Sequence, residues 1–198
     1  MNIDKIKSYI FEFILITFLF FILFVSTIYK TIYLAVFLLV YMLILKKILK
    51  KRNIVSHYKK EITLVMIAMG IIYLITFYLM GTYFGFYASS VKFGKVALLY
   101  YIIPLTIIIY SSEVIRGIFL AQKGKITKII IFPAFILIDL IIYGEVYNLT
   151  NLSDLLIIIG FIIFSSISTN LLYNYISLRY GKNSIIIYKL ITILYTFI

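Results

Sequence analysis

Between Tyr9 and Leu45 the chain runs for 37 residues with only two charged side chains, Glu12 and Lys30. As one helix, at ~1.5 Å per residue, that run would be about 55 Å long, nearly twice the ~30 Å hydrocarbon core of a bilayer. It must fold back, and Tyr29, Lys30 and Thr31 mark the natural bend. Burying Lys30 at the bilayer centre would cost roughly 2.5 to 3.5 kcal/mol, whereas the tip of a hairpin leaves it in water. A cleaved signal peptide is the competing reading. The run is too long for one, and no small-x-small cleavage pattern follows Phe24.

The same pattern continues to the end of the sequence. With 64% hydrophobic residues and a mean hydropathy of +1.13, the chain lies beyond the roughly 45 to 50% apolar content of soluble domains. The fold class expected is all-α: a polytopic transmembrane helical bundle of about seven spans, near 9–29, 31–45, 62–83, 96–121, 129–143, 155–176 and 185–198. These form one integral-membrane domain over 1–198 and leave no room for a soluble one. Gly81, Gly85, Ser89, Ser90 and Gly94 read as the loop that ends the third span, Pro104 as a tolerated kink in the outer half of the fourth, and Pro133 lies near the inner end of the fifth. The last span, at 14 residues, is short of a full crossing, which suggests a design that continues beyond it.

Loop charges give the orientation. Lys5, Lys7, Lys46, Lys47, Lys50, Lys51, Arg52, Lys59, Lys60, Lys123, Lys125, Lys128, Arg179 and Lys182 fall on one side of these spans, and Lys30, Lys92 and Lys95 on the other. Fourteen against three predicts a cytoplasmic amino terminus under the positive-inside rule, in a multi-pass protein of a cell membrane, bacterial by character. The densest group, Lys46, Lys47, Lys50, Lys51, Arg52, Lys59 and Lys60, reads as a topogenic loop touching anionic headgroups. Each basic residue near the surface contributes about 1 kcal/mol to that attraction. Nucleic acid is not an expected partner, because the loop offers charge without base-reading groups.

Chemistry is sparse. There is no cysteine and a single His57, so disulfides and thiolate metal sites are excluded, an imidazole cage is implausible, and neither metal nor cofactor is expected. No serine has a plausible histidine base, and no glycine-rich phosphate loop is present. Asn148 and Asn151 match the glycosylation acceptor pattern in a loop, a cheap match. Asp139 stands alone in its span; it could serve a proton path, and the plainer reading is an interfacial residue.

The polar residues that do stand out share helix faces. Glu113 and Arg116 are three apart, hence neighbours on one face. Ser166, Asn170 and Asn174 form a stripe at four-residue spacing, and Lys189 enters the last span from the same side. Together Glu113, Arg116, Asn170, Asn174 and Lys189 are expected to form a polar cluster in the cytoplasmic half. Intramembrane charges carry a functional suspicion. The plainer reading is an internal salt bridge with amides as interhelical glue.

Landmarks in the second half suggest a family. Tyr101 to Leu105 with Pro104, Ser112-Glu113 with Arg116-Gly117, Ser168 to Gly181 with Asn170, Asn174 and Arg179, and Ile187 to Tyr195 with Lys189 resemble the multi-span membrane region preceding the protease domain in certain bacterial signal peptidase-like proteins. The resemblance covers roughly residues 98 to 198. It implies a membrane part beside a serine/lysine peptidase, with a membrane-protein partner or protease domain to position. The Ser-Met-x-Pro nucleophile motif is absent, since Pro104 and Pro133 are preceded at three residues by Tyr101 and Ile130, so no catalytic residue carries over. The function expected is therefore a non-catalytic membrane module, with a small transporter or lipid-handling protein as the alternative.

Overall fold

A computed structural model describes residues 3–25, 29–49, 58–85, 94–122, 125–143, 155–156 and 158–194, with backbone alone at 3–5, 96, 125–128 and 194. Among the described residues all regular structure is helical. The helices are α1 (Ile3–Leu23), α2 (Lys30–Ile48), α3 (Lys59–Phe84), α4 (Lys95–Ala97, a π-type stretch Leu98–Ile102, then Ile103–Leu120), α5 (Lys125–Tyr143), α6 (a π-type stretch Ile158–Ile163, then Phe164–Arg179) and α7 (Asn183–Leu194). Five of them, α1, α2, α3, α4 and α6, are long and apolar enough to cross a membrane. The expected spans at 129–143 and 185–198 correspond to shorter apolar stretches, Ile129–Tyr143 in α5 and Asn183–Ile193 in α7.

Helix is what such a sequence must form, because hydrocarbon offers no partner for a free backbone group. Hydroxyls follow the same rule: Thr63, Thr76, Thr106, Thr169 and Thr192 each donate to a carbonyl one turn back, at 2.8 to 3.0 Å. Pro104 lacks an N–H and its ring crowds the carbonyl four residues earlier. The helix answers by widening just before it, and Ile103 N–H bonds to the Leu98 carbonyl in the π register.

The first hairpin bends earlier than the sequence suggests. α1 stops at Leu23, not Tyr29, as Phe24 and Val25 bond back to the Phe21 and Ile22 carbonyls in a tightened last turn. Lys30 begins α2 and its Nζ donates to the Leu23 carbonyl at 3.1 Å, a cation where a helix C-terminus favours one. Farther in, Phe18 stacks on Phe37 and the Tyr41 hydroxyl donates to the Phe11 carbonyl at 2.5 Å. A second difference lies in α3, which continues through Gly81 and ends only at Phe84. Gly85 takes φ +89°, open to glycine without a Cβ penalty. Gly81 is therefore a helix residue, not a loop one.

α4 is the hub. Half of Leu98–Leu120 is buried, against 11% of α3, and α2, α5, α6 and α7 all pack on it. α1 lies on α5, and α3 sits at the edge against α7. There Gly70 allows the close approach, since a Cβ at that position would lie 3.0 Å from Ile191 Cγ2. Two apolar clusters result. The larger draws Leu15, Leu19, Leu38, Ile115, Phe119 and Phe135 from α1, α2, α4 and α5, and the smaller joins Met66, Tyr173, Ile176 and Ile185 from α3, α6 and α7.

Candidate functional site

The polar residues occupy the seam between those clusters. Glu113 and Arg116, one turn apart on α4, are both fully buried. Glu113 Oε2 lies 2.9 Å from Arg116 Nε, and its Oε1 lies 2.7 Å from Lys189 Nζ on α7. Arg116 then forks toward α6: Nη1 donates to Asn174 Oδ1 and Nη2 to Asn170 Oδ1, each at 2.5 Å. Its guanidinium carbon sits 3.6 Å from the centre of the Phe135 ring of α5, and Tyr173 lies 5.7 Å away. The five residues singled out from sequence thus meet. The amides serve the guanidinium and not the carboxylate, because Glu113 is already engaged by two cations.

Asp139 is not the isolated interfacial residue expected from the sequence. Its Oδ2 accepts from Ser166 Oγ at 2.5 Å and from Asn170 Nδ2 at 2.7 Å. Asn170 is therefore the joint, accepting from Arg116 and donating to Asp139. A signal for Asp139 was present in the charges. Glu113, Arg116 and Lys189 sum to +1, and a buried group with net charge needs a counter-ion. With Asp139 included and all four ionised, the network is neutral. Phe135 and Tyr173 supply ring faces to the cations; in a chain with 17 Phe and 19 Tyr neither stands out from its neighbours, and the sequence reading missed both.

The stripe Ser166, Asn170, Asn174 extends about 12 Å along α6, so the network climbs from Lys189 and Glu113 to Asp139 through four helices. Arg116 stands in its middle, and its guanidinium donates hydrogen bonds and accepts none. What the arrangement does well is fasten α4, α5, α6 and α7 in one register: each bond is directional, and removing any member leaves a buried charge or amide without its partner.

The basic group lies apart from this network. Lys46 and Lys47 fall on the last turn of α2 and Lys59 and Lys60 on the first turn of α3, all exposed. Lys50, Lys51 and Arg52 lie outside the described residues, as do Lys123, Gly124, Asn148 and Asn151. The segment from Ser168 to Gly181 that carries part of the family resemblance forms most of α6 and the glycine turn after it, with Gly181 at φ +92°. No family model, curated protein or solved structure matches this chain.

Proposed function

We propose that this chain is a non-catalytic integral-membrane module of a bacterial cell membrane, with seven crossings and a cytoplasmic amino terminus. Its work is to hold a rigid helical platform beside a partner membrane protein or a protease domain, as its resemblance to the membrane part of signal peptidase-like proteins implies. The observation that carries this reading is the closure of the network: Glu113 and Arg116 have no exposed surface, they bond to each other, and the other groups bonded to them belong to neighbouring helices of the same chain. Charges so enclosed support a fixed arrangement better than a site that must admit a substrate.

A small transporter is the second reading. It is favoured by the π-type stretches Leu98–Ile102 and Ile158–Ile163, which lie in the two helices carrying most of the network and on the same side of it. Such stretches are frequent at functional sites. One experiment separates the two. The chain has no cysteine, so spin labels at Gln122→Cys and Leu178→Cys report the distance between the α4 and α6 ends in proteoliposomes. The platform gives one narrow distance that ion and pH gradients do not move. Two distances whose populations shift with a gradient would sink it in favour of transport.

A further inference from the structure

Two members of the network are not enclosed. Asp139 on α5 and Asn174 on α6 each keep part of their surface exposed, while Glu113, Arg116 and Asn170 keep none. Each commits one polar atom to the network: Asp139 Oδ2 accepts from Ser166 and Asn170, and Asn174 Oδ1 accepts from Arg116. Their second atoms, Asp139 Oδ1 and Asn174 Nδ2, have no bonding partner among the described residues. The bond to Asn170 sets Asp139 near the middle of the Ile158–Arg179 crossing, and Asn174 follows Asn170 by one turn. An acceptor on α5 and a donor on α6 are therefore left open within the span and not at its ends.

We propose that Asp139 Oδ1 and Asn174 Nδ2 form the docking point for a transmembrane helix of the partner, one that presents an uncharged amide, Asn or Gln, to both. Hydrocarbon offers neither atom a hydrogen bond, and an unbonded polar group in the span is costly. Headgroups, about 15 Å from the middle of the hydrocarbon core, do not reach. Charge narrows the choice further. Glu113, Arg116, Lys189 and Asp139 sum to zero when ionised, so a Lys, Arg, Asp or Glu from the partner would leave an unbalanced charge where it is expensive. An amide adds no charge, donates through its nitrogen to Asp139 and accepts through its oxygen from Asn174. Amides join helices across a bilayer in this way. The inference rests on the platform reading above and gives that platform a contact point for its partner.

The test uses the full chain in phosphatidylcholine liposomes, with a fluorophore at Gln122→Cys, and synthetic leucine-rich transmembrane peptides that carry one Asn, one Lys or neither at mid-length. Energy transfer reads association, at densities where the peptides do not associate with each other. The Asn peptide should bind about fivefold or more tightly than the all-leucine peptide, and more tightly than the Lys peptide. Asp139→Ala and Asn174→Ala should each weaken its binding about threefold or more; Asn174→Ala leaves the bonds of Asp139 in place and serves if Asp139→Ala does not fold. Ser168→Ala, which removes an exposed hydroxyl bonded within its own helix, should change binding less than about twofold. Asn and all-leucine peptides binding alike would overturn the site, leaving water or lipid over the pair. Tighter binding of the Lys peptide would overturn the uncharged occupant, and Asn-peptide binding that neither alanine variant weakens would overturn these two residues as its place. The platform reading is tested apart, by the spin-label distance between positions 122 and 178: one narrow distance unmoved by gradients upholds it even where no peptide binds.

Discussion

The Arg116 guanidinium carbon lies 3.6 Å from the centre of the Phe135 ring while its nitrogens reach Glu113, Asn174 and Asn170. One flat cation thereby touches its own helix, α5 and α6, and through Glu113 it is coupled to Lys189 on α7. The same face of α4 that would be intolerable against lipid becomes the place where four helices are registered.

Replacing Arg116 by lysine should therefore not behave as a conservative change. An ammonium can reach Glu113 but cannot fork to two amides or lie flat on a ring. The loss of two charge-assisted hydrogen bonds, at about 1.5 to 3 kcal/mol each, should lower stability by roughly 3 kcal/mol or more, measured by unfolding in mixed micelles. Wild-type stability for Arg116→Lys would mean that the fork contributes nothing.

Asn170 and Asn174 look alike in the sequence and should differ in consequence. Asn170 is fully buried and joins Arg116 to Asp139; Asn174 is partly exposed and serves Arg116 alone among the bonds seen. Asn170→Ala strands a donor and an acceptor and should cost about 2 to 3 kcal/mol, whereas water can replace Asn174 and its alanine variant should cost about 1 kcal/mol or less. The same unfolding assay ranks them, and a reversed order would contradict the joint role of Asn170.

Much of this was legible from residue spacing alone. Apolar runs and charged loops place the seven helices, and the i, i+3 and i, i+4 patterns of Glu113, Arg116, Asn170 and Asn174 put the right residues on common faces, because helix geometry converts spacing into direction. What spacing cannot show is which faces meet. Asp139 looked solitary because its partners, Ser166 and Asn170, are 27 and 31 residues away on another helix. The early end of α1 was hidden for a related reason: Phe24 to Tyr29 carries no charge, and the bond from Lys30 back to the Leu23 carbonyl depends on the hairpin being formed.

α3 is attached chiefly through α7, and Gly70 is the point of closest approach. A methyl group there would press on Ile191 at 3.0 Å, so Gly70→Ala should require a small shift and Gly70→Leu should separate the helices. Disulfide trapping between cysteines placed on α3 and α7 reads the separation directly. Trapping should fall severalfold in Gly70→Leu and recover in part with Ile191→Ala; unchanged trapping would show that the contact at Gly70 does not hold α3 in place.

The orientation makes its own prediction. Single cysteines at positions 55, 124 and 181 should react with impermeant reagent only from the cytoplasmic side, and those at 88, 150 and 30 only from outside, as the fourteen to three division of basic residues requires. Lys30→Cys is the sharpest of these, since Lys30 begins α2, at the turn of the first hairpin. Labelling of positions 55 and 88 from one side would refute the arrangement.

Glu113 bears the largest consequence, because it is paired with two cations at once. Glu113→Gln leaves Arg116 fully buried without its counter-ion and Lys189 nearly so, and breaking a buried pair in this way costs about 3 to 5 kcal/mol. Removing a cation together with the acid should restore part of the loss. The two double variants differ, however: Glu113→Gln with Lys189→Met deletes one ammonium and leaves the guanidinium to its amides, whereas Glu113→Gln with Arg116→Gln also releases Asn170 and Asn174. Recovery should therefore be greater with Lys189→Met. Only the coupling term of each cycle isolates a pair from the packing changes around it, so both cycles are measured in the same micelles, by the same unfolding signal. Strictly additive losses in both would show that Glu113 acts on neither cation, and the network would then be an arrangement of neighbours without energetic connection.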